Sequence, residues 1–173
     1  MNIVECDLNR HGEQMLAIVN ETIVNTTWIY DYAPRTTEQL SDYVTRRLTG
    51  GFPIIVVEDE REGLLGFGSF GEFRRLPGYK YTVEHSVFVA AAARRRGVGR
   101  LLLIRLIELA QGMDLHVLIG AIDSTNLPSI ALHESLDFEL CGTLREVGYK
   151  HGRWLDAVLY QYVLNTPIDP NED

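Results

Sequence analysis

Cysteine is nearly absent from this 173-residue chain, with only Cys6 and Cys141. Two thiols so far apart give neither a disulfide framework nor metal-ligand spacing, so a reducing cytoplasm and no metal are expected. No apolar run approaches the roughly 18 residues of a membrane span, and the opening MNIVECDLNRHGEQ is too polar for a secretory signal. Basic charge is also in deficit: 16 Lys and Arg stand against 24 Asp and Glu, a formal net charge of -8. Nucleic acid and anionic membranes reward the opposite balance, so neither is an expected partner. Internal repeats and low-complexity tracts are missing as well.

What is present is a globular composition, 46% hydrophobic and 23% charged, in a length that suits one domain. That domain is expected over residues 1–164, with 165–173 (NTPIDPNED) as a flexible tail. Strand and helix signals alternate. A short strand at 2–6 precedes a helix at 11–25 that aligns Met15, Ile18, Val19 and Ile23. Pro34-Arg35-Thr36 opens a helix at 36–49, ended by Gly50-Gly51. Ile54–Val57 and Leu64–Phe70 read as a hairpin around EDEREG.

Tyr79–Val89 is the longest strand signal. Period two sends Tyr81, Val83, His85 and Val87 to one face and Thr82, Glu84, Ser86 and Phe88 to the other. A helix at 98–111 is apolar almost all round, predicting deep burial, with Gly112 as its C-cap. Leu115–Ile122 follows as a buried strand. Asn126 is a candidate N-cap for a helix to Leu136, and 138–148 and 154–163 are the last strands, split by HGR. The order βααβββαβαββ predicts an α/β (α+β) mixed sheet with helices on both faces.

Between the long strand and the apolar helix lies Arg94-Arg95-Arg96-Gly97-Val98-Gly99-Arg100. The glycines permit a tight turn and close approach to a ligand, and a helix N-terminus among arginines suits a pyrophosphate. The segment is neither G-x-x-x-x-G-K-[ST] nor a dinucleotide fingerprint, which needs a third glycine. Glu84 is the candidate general base, since mid-strand burial raises a carboxyl pKa.

Strand, Arg94-x-x-Gly97-x-Gly99 and helix together resemble the acetyl-CoA signature of the GNAT superfamily of N-acetyltransferases. Asn126-x-x-Ser129-x-x-Leu132-His133-Glu134-x-Leu136-x-Phe138 is similar to that superfamily's following helix. Tyr81–Val89 and the run Gly142–Asp156 (GTLREVGYKHGRWLD) resemble its phosphinothricin and methionine sulfone (or sulfoximine) acetyltransferase branch. Several motifs in order, covering nearly the whole chain, imply the GNAT fold with splayed central strands.

The resemblance implies that acetyl-CoA is the cosubstrate. Its phosphates would lie on Arg94–Arg100, and its pantetheine arm along the backbone of Val87, Phe88 and Val89, with Asn126 and Ser129 beside it. It also implies Glu84 as base and His133, where most members have tyrosine, as acid for the leaving thiolate. Titration near neutrality suits an imidazole to that work, while a lone buried histidine is often only a core residue. The acceptor, a small amino-acid-like amine, would meet Trp28, Phe73, Arg74, Arg75, Glu84, His85 and Ser86, with the two arginines gripping an acidic group. His85 faces away from Glu84 by alternation and is a candidate only for the pocket wall or for structure. Thr27-Trp28-Ile29-Tyr30-Asp31 departs from the branch's usual "T-x-T-F-E", which leaves the acceptor open. A polyamine, an aminoglycoside or a protein N-terminus are alternative acceptors, and a non-catalytic coenzyme A sensor is the alternative class. A homodimer built in part by the Trp154 hairpin, with Tyr149 and Lys150 near the shared cleft, is implied by the resemblance.

Overall fold

The computed structural model describes residues 1–172. Seven strands, β1 (Asn2–Glu5), β2 (Ile54–Asp59), β3 (Gly63–Glu72), β4 (Thr82–Val89), β5 (Val117–Asp123), β6 (Glu139–Lys150) and β7 (Arg153–Val163), form one sheet in the order β1-β2-β3-β4-β5-β7-β6. The helices are α1 (Leu8–Asn25), α2 (Thr37–Thr49), α3 (Val98–Gly112) and α4 (Leu127–Glu134), so the expected element order holds. All neighbours run antiparallel except β4 and β5, which are parallel.

Each face of the sheet has its own core. On one, Met15, Ile18, Val19 and Ile23 of α1 and Leu40 and Val44 of α2 pack onto Ile54, Val56 and Phe67. On the other, Leu102, Leu103 and Leu106 of α3 pack onto Ile55, Val57, Phe70 and Leu118. Residues 54–57 thus face the two cores alternately, which is why that strand reads as an unbroken apolar run.

Local chemistry explains where the boundaries moved. Asp7 caps α1 by accepting from Asn9 N, starting it three residues before the apolar periodicity does. Thr36 and Gln39 form a capping box on α2. Tyr79 lies outside β4, in a short 3-10 turn begun by Pro77. Gly112 remains inside α3, and the left-handed conformation after it is taken by Asp114, at φ 54°. Only one side of α3 is buried, for Leu101 is 41% exposed and Arg100, Arg105 and Glu108 are exposed with it. The expected flexible tail is tied down over its described part. Thr166 Oγ1 donates to Leu115 O, Thr166 O meets His116 Nδ1 (2.7 Å), and Asn171 N donates to Tyr81 Oη (3.1 Å). Asp173 lies outside the described residues.

A buried ammonium ties the edge strand β6 to helix α1 and the loop after it. Lys150, at the end of β6, donates from Nζ to Ile23 O and Ile29 O, both at 2.7 Å. It thereby fixes the end of α1 and the loop after it. Burial lowers its pKa, against the opposing pull of Asp31 and Asp123. Lys150→Met strands both carbonyls and is expected to cost about 2–4 kcal/mol of stability. Urea unfolding would read this as a lower midpoint at unchanged m-value; a cost under about 0.5 kcal/mol would show that the tether is dispensable.

Candidate functional site

The only parallel junction of the sheet is also its shortest. β4 and β5 pair at Thr82↔Val117, Val83↔Leu118 and Glu84↔Ile119, and then part. β3 stays paired with β4 to Gly66↔Val89, and β7 with β5 to Asp123↔Ala157. The inner edges of residues 85–89 and 120–123 therefore line an open fork. Val87, Phe88 and Val89, expected to hold a pantetheine arm by backbone bonds, lie half-buried along one edge of it.

α3 begins beside the mouth of this fork. Gly97 adopts φ 84° and caps α3 with no side-chain hydrogen bond, so the first-turn N–H groups of the helix face outward without a side-chain acceptor. The arginines around it are not equally free. Arg94 bonds Glu21 at 2.8 Å and lies over the Trp28 ring at 5.3 Å. Arg96 grips Glu62 through two bonds of 2.7 Å. Arg100 bonds Ser135 Oγ at 3.1 Å. Arg95, at φ 63°, has no such partner among the described residues. The backbone turn thus carries the anion-binding geometry, with less free positive charge than four arginines suggest. Asn126 caps α4 by accepting from Ser129 N (3.2 Å), so both residues serve the helix start.

Glu84, Ser86 and Phe88 share the face covered by α1 and α2. Phe88 stacks on Phe67 at 4.8 Å, and Ser86 lies opposite Ser69, whose Oγ meets Tyr43 Oη at 2.5 Å. Glu84 is half-buried; desolvation raises its pKa, and the Arg47 guanidinium pulls it back down. Arg47 comes from the last turn of α2 and lies over Gly71, the cross-strand partner of Glu84. Sequence reading did not find it. A basic residue at a helix C-terminus normally just complements the dipole, and nothing local signals that it reaches Gly71, 24 residues away from it in the chain.

His85 points to the opposite face, as alternation requires, and there meets His133 of α4. Their Nε2 atoms are 2.9 Å apart, and His133 Nδ1 is 2.7 Å from Ser129 O. A carbonyl can only accept, so Nδ1 of His133 carries the proton and its Nε2 accepts from His85. Burial first, then His133, pushes the His85 pKa down to about 3, and burial lowers that of His133 as well. The pair is neutral and fills the root of the fork, with Gly120 against both rings. Of the two readings open for each residue, this geometry supports the structural one: the one proton of His133 lies toward Ser129 O, and His85 packs in the core.

The remaining candidates are spread out. Phe73, Arg74 and Arg75 follow β3 on an exposed loop at the Glu84 end; Arg74 stacks on Phe73 at 5.2 Å, and Arg75 lies 3.9 Å from Glu72. Trp28 packs under Arg94 rather than beside that loop. A surface cleft of about 680 Å³ lies along the α1–α2 connection and shares Tyr43 with the face of Glu84.

Comparison with known proteins gives this geometry a family. Residues 20–138 match the model of the Acetyltransferase (GNAT) family. The chain is 41% identical over 151 residues to the L-methionine sulfoximine/L-methionine sulfone acetyltransferase of Pseudomonas aeruginosa, spanning 87% of this chain and 88% of that protein. It is 36% identical over 151 residues to the phosphinothricin N-acetyltransferase of Alcaligenes faecalis, spanning 86% and 76%. The crystal structure of a GNAT superfamily phosphinothricin acetyltransferase from Sinorhizobium meliloti in complex with AcCoA superposes with a TM-score of 0.92. It shares 28% identity and covers 98% of this chain and 91% of that one. The chain belongs to the GNAT acetyltransferase family.

The neutral imidazole pair makes stability depend on pH with a definite sign. The unfolded chain protonates His85 near 6.5, the folded chain only near 3. Unfolding therefore takes up protons inside that window, so stability is full above it and falls as pH drops through it. His85→Asn is expected to flatten the slope of unfolding free energy against pH by close to one proton between about pH 4 and 6. An unchanged slope in denaturant titrations would assign the pH dependence to other groups.

Proposed function

We propose that this GNAT family member is an enzyme that moves the acetyl group of acetyl-CoA directly onto the primary amine of a small amino-acid-like acceptor. The acceptor would be of the methionine sulfone, methionine sulfoximine or phosphinothricin type, with Glu84 as general base. The observation that carries this reading is the position of Glu84. It is a half-buried carboxylate with a raised pKa, on the last paired residue before the β4–β5 fork opens.

The residues fit acetyl-CoA on their own evidence. The uncapped start of α3 behind Gly97, with Arg95 and Arg100 nearby, would hold the phosphates, and the free edge of residues 87–89 would hydrogen-bond the pantetheine amides. When bound, acetyl-CoA supplies an acyl group activated as a thioester. Glu84 accepts a proton from the acceptor's ammonium group, directly or through one water, and so frees the amine lone pair. A raised pKa makes that carboxylate a stronger base than an exposed one. Arg74 and Arg75, at the end of β3, would engage the acceptor's polar side-chain end. The exposed apolar side chains of β6 and β7, Leu140, Leu144, Val147, Tyr149 and Trp154, support a homodimer through that edge.

Thiol release from acetyl-CoA tests the reaction with methionine sulfone, phosphinothricin, spermidine and an aminoglycoside as acceptors. Coenzyme A binding without stimulation by any amine would favour a sensor. Glu84→Gln should lower kcat/KM by about 10²–10⁴-fold near neutral pH and by less at alkaline pH, where free amine is abundant. Wild-type kcat/KM should fall on the acid side with a midpoint above the ordinary carboxyl value of about 4.3. A Glu84→Gln enzyme with full activity at every pH would remove Glu84 as the base.

A further inference from the structure

The face that carries Glu84 holds a second charge that the proposed proton transfer leaves unused. The guanidinium of Arg47 lies directly over the Cα of Gly71. Any side chain at 71 would displace it, for a Cβ there would collide with Nη1 and stand 2.6 Å from Cζ. Gly71 and Glu84 are opposed in the β3–β4 register, so the guanidinium and the carboxylate project from neighbouring strands on one side of the sheet.

Two features mark this cation as a binding group. Its Nε is buried and has no hydrogen-bond partner among the described residues. That unmade bond costs free energy, and since Nε is closed to solvent while the residue as a whole stays half-exposed, a ligand oxygen would meet the terminal nitrogens of the same guanidinium. In addition, Arg47 and Glu84 share this face, one over Gly71 and the other opposite it, without an ion pair between them among the described residues. The ring of Tyr43, 5.2 Å from the guanidinium carbon, supports it from the side. A positive and a negative group, both partly desolvated and held apart by one strand spacing, are the complement of a zwitterion.

We propose that Arg47 binds the α-carboxylate of the acceptor while Glu84 engages its ammonium group, so that the pair selects free α-amino acids. This inference rests on the amino-acid reading of the acceptor given above and names the residue that enforces it. Arg74 and Arg75 remain in water on their loop, where a guanidinium gains little from a carboxylate. Arg47 is drier and fixed, and the same charge disfavours polycationic acceptors.

The test compares L-methionine sulfone with 3-(methylsulfonyl)propylamine, the same skeleton without its carboxylate. The ratio of their kcat/KM values is measured in the wild type, Arg47→Met and Arg47→Lys. Arg47→Met should cut the ratio by about 10–100-fold, mostly through the KM of the amino acid, because a charge-assisted bond to one substrate alone is lost. Arg47→Lys should recover part of it, a point charge lacking the guanidinium fork. Equal losses for both acceptors would overturn the proposal and leave Arg47 as a support for Glu84 or for the fold. A second arm needs no variant: methionine sulfone methyl ester, offered to the wild type, should lose most of the amino acid's advantage, and an undiminished rate would also overturn it. A wild type that acetylates neither compound, but does acetylate spermidine or a peptide N-terminus, defeats the amino-acid reading itself, and the Arg47 inference falls with it.

Discussion

Three residue pairs govern the molecule. The parallel contact between β4 and β5 lasts only from Thr82 to Glu84 on one side and Val117 to Ile119 on the other, and each strand then follows its antiparallel partner away. A longer ladder would close the sheet and bury the edge of residues 85–89. A shorter one would separate the core of α3 from that beneath α4. The fork stays open because its root is filled: His85 and His133 occupy the space beside Gly120, bonded to each other and to Ser129 O.

Alternation along β4 then divides the labour. Successive side chains point to opposite faces, so Glu84 and His85 are neighbours in sequence but belong to different environments. His85 is fully enclosed, loses its charge and becomes structure. Glu84 is half-enclosed beside Arg47, keeps access to the fork and has its basicity raised by burial while the cation holds the rise in check. Identical backbone geometry produces a carboxylate of raised pKa and an imidazole of lowered pKa because the two faces differ in what covers them.

Much of this was legible in the sequence, and the parts that were not share a physical cause. Periodicity located α1 and β4, and apolar runs, caps and turn residues located the other strands and helices, since the two cores and the chain ends of each element dictate residue type locally. The glycine turn before α3 was readable because positive φ at residue 97 restricts residue type. Boundaries moved where a polar side chain or a turn, rather than the apolar repeat, made the decision, as with Asp7 on α1 and Pro77 before β4. Interactions between distant elements left no local trace. His133 reads as a lone histidine until His85 is brought to 2.9 Å, and nothing near Lys150 in the sequence announces the two carbonyls that enclose it.

Arg47 shows why such residues escape a linear reading and why they matter. In the sequence it is the second of two arginines closing a helix, the place where basic residues are commonest. The information that moves it into the site resides at Gly71, a position in another element whose missing side chain makes room for a guanidinium opposite Glu84. Neither residue is informative alone. Selectivity at this face is therefore written as a complementarity between a side chain on α2 and an absence on β3. A relative carrying any larger residue at 71 must move its arginine, and with it the charge that faces the acceptor.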